Sequence, residues 1–120
     1  MLQKHVNRIK LRATRTVMRE RKISMPDASW QISKVTGSSK GKELEQNMKH
    51  FLDHMKTFPP AKRIEMEVRL KATLASQLAF AAKHGERTIE DILNESRIEH
   101  QIEHLKDVIA ADKARLTGKK

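Results

Sequence analysis

The sequence predicts an all-α protein, a compact bundle of four to five helices that forms a single domain over residues 1–120. Apolar side chains recur at spacings of three and four along most of the chain, and no segment shows the apolar–polar alternation typical of a strand. A chain of 120 residues has room for one ordinary hydrophobic core, and with 38% apolar and 33% charged residues that core is small.

The first helix is predicted over about residues 2–22, inside a basic amphipathic segment that covers residues 1–23. Its apolar residues fall within about 60° of Leu2 on a helical wheel. They are Leu2, Val6, Ile9, Ala13 and Val17. This stripe predicts that one side of the helix joins the core.

The second helix is predicted to be short, over about residues 26–35. Pro26 suits a first helical position, and Gly37 suits the exit from the helix. Trp30, the only tryptophan, is expected to anchor this helix in the core. Residues 37–42 are predicted to form a flexible loop because they are rich in glycine and serine.

Two longer helices are predicted over about residues 42–56 and 61–83, separated by Pro59 and Pro60. Gly85 is placed to close the fourth helix in the left-handed conformation. The fourth helix is apolar around much of its circumference, whereas a surface helix shows a single apolar stripe. We therefore expect the fourth helix to be the central one.

The last helix is predicted to begin after a Thr88 cap, with acidic residues in its first turn. A heptad-spaced apolar seam follows, made of Ile98, Ile102, Leu105, Ile109 and Leu116. This seam lies opposite Ile89 on a straight helix, so the helix either breaks near residues 94–96 or uses both of its faces. The seam either joins two copies in a homodimer or packs inside the chain. Residues 117–120 are expected to be a frayed tail.

The charge of the chain indicates an anionic partner. Lys and Arg number 25 against 15 Asp and Glu, and the net charge of +10 is concentrated in residues 1–23, which hold eight basic residues and one acid. The absence of cysteine excludes disulfides and thiol chemistry and favours a reducing compartment, so a cytoplasmic location is expected. No membrane partner is expected, since the longest run without a charged residue, 72–82, is about half a membrane span.

Six cations form one row along the predicted first helix. They are Lys4, Arg8, Arg12, Arg15, Arg19 and Lys22. Same-sign neighbours at these three- and four-residue spacings repel each other, and phosphate groups would relieve that repulsion. A helix fits the major groove of duplex DNA, and no aromatic residue beside the row offers a platform for single-stranded bases. Lys40 and Lys42 are outlying candidates for phosphate contacts.

Other kinds of site are not expected. His50 and His54, like His100 and His104, have the four-residue spacing of a zinc site, but the helical wheel places both pairs on the surface. No nucleophile and base stand in a recognisable catalytic arrangement, and tyrosine and cysteine are absent. We therefore expect no metal, no cofactor and no enzymatic activity.

The leading interpretation is a non-enzymatic accessory protein that binds nucleic acid, with duplex DNA favoured over RNA, alone or as a subunit of a larger nucleoprotein complex. In the alternative, the protein is an interaction module, an inhibitor or adaptor, whose basic helix docks in an acidic groove of a protein partner. A third interpretation treats residues 1–23 as a mitochondrial presequence, since they are amphipathic, rich in arginine and nearly free of acids.

Overall fold

A computed structural model describes residues 2–85 and 87–117 of the chain, with side chains as far as residue 116. It contains five α-helices: α1 (Leu2–Arg21), α2 (Met25–Thr36), α3 (Ser39–Thr57), α4 (Pro60–His84) and α5 (Ile89–Thr117). The described residues include no strand. The prediction of an all-α bundle is therefore confirmed. The predicted frayed tail falls partly on α5, which includes Thr117, and its residues 118–120 lie outside the described residues.

Polar caps and glycines set the ends of the helices. The Ser24 hydroxyl accepts a hydrogen bond from the Asp27 amide at 3.4 Å and starts α2. The Ser38 hydroxyl accepts one from the Lys40 amide at 3.3 Å, so α3 begins at Ser39 and most of the predicted loop 37–42 is helical. Gly85 closes α4 at the predicted position and with a positive φ of 81°, but its ψ of −133° lies outside the left-handed helical region that was predicted. Its amide donates to the carbonyl of Ala81 at 3.1 Å.

Gly41 allows the tight turn between α2 and α3. A Cβ atom at this position would lie 1.8 Å from the carbonyl oxygen of Thr36, at the end of α2. Only glycine fits this close approach of two backbones, so the glycine that the composition assigned to a flexible loop has a packing role.

The core consists of two clusters of buried apolar residues, and α1 and α5 contribute to both of them. The first cluster joins these helices to α3: Val6, Ile9, Leu44, Met48, Phe51, Met55 and Leu105. The second joins them to α2: Ala13, Val17, Ala28, Ile32, Ile92 and Leu93. The apolar stripe of α1 therefore lies in the core as predicted from Val6 onward, and Leu2 packs half-buried against it.

The last helix runs unbroken through both clusters. Around residues 95–102 it is buried on several sides. Of the two alternatives that the sequence left open, the structure therefore has the long helix that uses both faces and not the broken one. Three residues of the heptad seam, Ile98, Ile102 and Leu105, are buried within the chain itself, while Leu116 is exposed. The homodimer through this seam stays a prediction, and only the C-terminal part of the seam is open to a partner.

The fourth helix is at the periphery, and the expectation that it is central was wrong. None of its residues is buried, and it packs chiefly along α5, where Met66 and Leu70 cover the first cluster. Arg63 anchors it there through an ion pair of 2.7 Å with the buried Asp112 and a hydrogen bond to the Met55 carbonyl. The apolar circumference of α4 therefore comprises two faces, of which one is exposed.

The central helix is α5, which contacts each of the other four helices. Among residues 2–85 and 87–117, no helix combines the length and the apolar character that a bilayer span requires.

Candidate nucleic-acid interface

The basic row follows the outward face of α1. Because Val6, Ile9 and the rest of the stripe are turned into the core, the opposite side of the helix faces solvent. The exposed cations on this side are Lys4, Arg8, Arg15 and Arg19, with Lys22 directly after the helix. From Lys4 to Arg19 the row is about 22 Å long at the rise of an α-helix.

Arg12 differs from the rest of the row because it has acidic partners. Its guanidinium pairs with Glu99 at 3.2 Å and with Glu103 at 2.6 Å, both on α5. Both pairs are partly exposed, so each contributes little, in the range of 0–1 kcal/mol. Arg12 therefore helps to fix the angle between α1 and α5, and it is less available to a ligand than its neighbours.

An acidic row on α5 runs beside the basic row. Glu95, Glu99 and Glu103 are spaced by four residues, and Glu95 is buried in an ion pair with Arg87, which also pairs with Glu20. These partners were not predicted from the sequence because they lie on a distant segment. The regular spacing of the three glutamates, complementary to that of the arginines, is the signal that would have found them.

The two rows are the walls of a groove of about 400 Å³ between α1 and α5. Its basic wall comprises Arg8, Arg12, Arg15 and Arg19, and its acidic wall comprises the three glutamates. A polyanion would be repelled by the acidic wall. It would therefore approach α1 from the side away from α5, where the exposed basic side chains stand beside the neutral Asn7 and Leu11.

A histidine cluster lies where α1 meets α5. The Nδ1 atom of His5 and the Nε2 atom of His100 are 2.8 Å apart, so one ring donates a hydrogen bond and the other accepts it. The ring of His104 stands edge-on to His5, with 5.2 Å between centroids. His100 is buried, so its expected surface position was wrong, whereas His50 and His54 are exposed as predicted.

Burial dominates the electrostatics of this cluster. It lowers the pKa of His100 from 6.5 to about 4, helped by the neighbouring charges of His5, Arg12, His104 and Arg8. Burial also lowers the pKa of His5 and that of His104, where Asp107 opposes it. The three rings are thus neutral near pH 7. Among the described residues, no group of three or more histidine, aspartate or glutamate side chains is arranged to hold a metal ion.

The remaining candidates from the sequence lie apart from the row. Lys40 is at the start of α3, within 3.6 Å of Glu43 and 3.9 Å of Glu90, and Lys42 is exposed nearby. Trp30 is 63% exposed, with the Lys34 ammonium 5.0 Å above its ring, so the expectation that it anchors the core was wrong.

Comparison of this chain with protein-family models, with curated proteins and with solved structures found no match.

Proposed function

We propose that the protein is a non-enzymatic accessory protein that binds nucleic acid, with duplex DNA preferred, through the exposed cations of α1. One observation supports this most strongly. Lys4, Arg8, Arg15 and Arg19 project from the outward face of a helix whose inward face is packed in the core. Among the residues that the structure describes, none of these four side chains has an ion-pair partner.

Unpaired cations on a rigid helix suit the phosphates of a duplex. Neighbouring cations repel each other by a few tenths of a kcal/mol per pair, and this cost is removed when phosphates neutralise them. The guanidinium group binds phosphate in a bidentate manner, and three of these four side chains are arginines. Because α1 is held by the core, its backbone loses little conformational entropy when the row binds.

Duplex DNA is preferred for two reasons. The major groove of B-DNA admits a helix, whereas the major groove of A-form RNA is too narrow for the side chains of a helix to enter. No aromatic residue lies on α1, where it could stack on single-stranded bases. The contacts would be made with the backbone, and the protein could serve as one subunit of a larger nucleoprotein assembly.

Fluorescence anisotropy with labelled duplex DNA, duplex RNA and single strands tests the proposal. If five cations, including Lys22, each neutralise a phosphate, the logarithm of the binding constant falls with the logarithm of salt at a slope of about −4 to −5. Duplex DNA should bind most tightly. The absence of binding at low salt would refute the proposal.

A matched pair of variants locates the site. The triple variant Arg8→Glu, Arg15→Glu, Arg19→Glu should lose duplex binding, because each change replaces an attractive contact with a repulsive one. Arg12 is left intact because its substitution would also disturb the packing of α1 on α5. The control carries the same change of charge on other helices, with Lys49→Glu, Lys56→Glu and Lys106→Glu, all at exposed positions. Equal losses in the two variants would show that only net charge matters and that the α1 row is not the site.

A protein-interaction module is the second candidate function, and the exposure of Trp30 favours it. Tryptophan is enriched among the residues that dominate protein interfaces, and Met25, on the same helix, is also exposed. The two functions are separated by the first experiment. If no nucleic acid binds, affinity capture with the intact protein tests for a protein partner. Loss of capture in the triple variant of α1 would show that the partner takes the basic helix, and loss in Trp30→Ala would show that it contacts α2.

A further inference from the structure

The outer side of α4 is an exposed apolar surface that the fold leaves uncovered. On a helical wheel, the side chains turned toward α5, among them Met66 and Leu70, fall within about 60° of Arg63. A second set lies about 100–180° away, on the solvent side, and we call it the α4 seam: Ile64, Val68, Ala72, Ala75, Ala79 and Ala82. Val68 is 61% exposed and Ile64 is 46% exposed.

Charged residues are nearly absent from this face, although a third of the chain is charged. Lys71 lies at its edge and pairs with Glu67 at 3.0 Å. Glu65 and Lys83 border the seam on its other side, about 20° beyond Ala72, and Arg69 lies on a third side of the helix. A solvated helix normally presents polar residues on its outer face, and contiguous exposed apolar residues mark an interface.

We propose that a second copy of this chain covers the α4 seam, with the two α4 helices antiparallel about a two-fold axis near Ala72. The spacing along the seam is 4-4-3-4-3, which is the repeat that lets one helix pack into another along its length. The proposal is independent of nucleic-acid binding, because it concerns a different helix and an uncharged surface.

The distribution of side-chain size selects the antiparallel arrangement. The bulky residues are in the first half of the seam, and the second half contains only alanines. An antiparallel pair places Val68 opposite Ala75 and Ile64 opposite Ala79, so that each large residue meets a small one. A parallel pair would place Val68 against Val68 and align the two helix dipoles unfavourably.

The monomer is elongated and thin. Its smallest dimension is 23 Å, about two layers of helices. Its radius of gyration is 15.9 Å, against about 14 Å for a globular chain of this length. A seam about 27 Å long and one helix wide is a small interface, so the expected affinity is weak, on the order of micromolar.

Sedimentation equilibrium of the intact protein over a concentration series is the direct test. The average mass should rise from 13.9 kDa toward twice that value. The association should strengthen with added salt, because salt screens the repulsion between two chains that each carry +10. A mass that stays at the monomer value at every concentration would overturn the proposal.

Substitutions distinguish this interface from any other. Val68→Glu should weaken the dimer by at least about tenfold, since it buries an unpaired charge. The control Thr73→Glu, at an exposed position on the side of α4 away from the seam, should leave the dimer unchanged. Adding Ala75→Lys to Val68→Glu should restore association, because the two new charges meet only across an antiparallel pair. A dimer that is insensitive to Val68→Glu, or one that the second change fails to restore, contradicts the arrangement.

A cross-linking variant keeps the test independent of the stability of these charge variants. The chain has no cysteine, so Ala72→Cys introduces a single thiol close to the proposed axis. With oxidised glutathione as the oxidant, this variant should form a covalent dimer, whereas Ser33→Cys, exposed on α2, should remain monomeric. Equal cross-linking of the two variants would overturn the proposal.

Discussion

Acidification should destabilise the fold through His100 before the carboxylates titrate. The ring is buried between α1 and α5, faces His5, Arg8, Arg12 and His104, and has its pKa lowered from 6.5 to about 4. Between these two values the unfolded chain binds a proton that the folded chain does not. Stability is therefore complete above about pH 6.5 and decreases as the pH falls toward 4.

The size of the effect follows from the two pKa values of His100. Linkage gives a loss of about 2 kcal/mol between pH 7 and pH 5, and about 3 kcal/mol once the pH is below 4. The lowered pKa values of His5 and His104 act in the same direction. Since a small domain has only about 5–15 kcal/mol of stability in total, the loss is easily measured.

The loss of stability is measured by urea denaturation at a series of pH values, with unfolding followed by far-UV circular dichroism. Fluorescence is less suitable because Trp30 is already exposed in the folded protein. The variant His100→Gln keeps a side chain that can hydrogen-bond to His5 and removes the titration, so its stability should depend less on pH by about 2 kcal/mol between pH 7 and pH 5. The control His50→Gln, at an exposed position, should follow the wild-type protein. Parallel curves for His100→Gln and the wild type would refute the argument.

Further substitutions test the packing. Gly41→Ala should cost about 1–3 kcal/mol in urea denaturation, because its methyl group would overlap the Thr36 carbonyl, and a loss below about 0.5 kcal/mol would contradict the close approach. Arg63→Ala should lower the free energy of unfolding by about 2 kcal/mol. This is less than the usual 3–5 kcal/mol for breaking a buried pair, because Arg115 still pairs with Asp112. Arg115→Ala should lower the free energy of unfolding much less. Arg12→Ala should lower the free energy of unfolding by at most about 1 kcal/mol and should weaken DNA binding less than Arg15→Ala, as measured by anisotropy.

The elements with one apolar face were predictable from the sequence, and α1 illustrates why. Val6, Ile9, Ala13 and Val17 share one side of a helix, and burying that side leaves only one orientation for the basic row. The row was therefore found from spacing alone. The ends of α2 and α4 were predicted for a similar local reason, since proline and glycine restrict the backbone regardless of the rest of the fold.

The wrong predictions concern residues whose environment depends on distant segments. The acid partners of Arg12 come from α5, and no local pattern on α1 announces them. Asp112 occupies a polar position in the heptad repeat of α5, and it is buried against Arg63 of α4. The wheel placed His100 opposite the apolar seam of α5 and hence on the surface, whereas α1 covers that side as well. A helical wheel assigns one buried face to a helix, so it gives the wrong burial for a helix that packs against neighbours on several sides.

Salt separates the two proposed surfaces, because they depend on charge in opposite ways. Binding through α1 releases counterions from the nucleic acid, so its affinity falls as salt is added. Pairing through the α4 seam brings two chains of charge +10 together on an apolar strip, so its affinity rises as salt is added. Because α1 and α4 each pack on α5 with little direct contact, substitutions on the two helices should act additively. A Val68→Glu protein should therefore bind duplex DNA with an unchanged salt slope per chain. If the slope instead falls along with the dimer, the basic rows of the two copies act as one site.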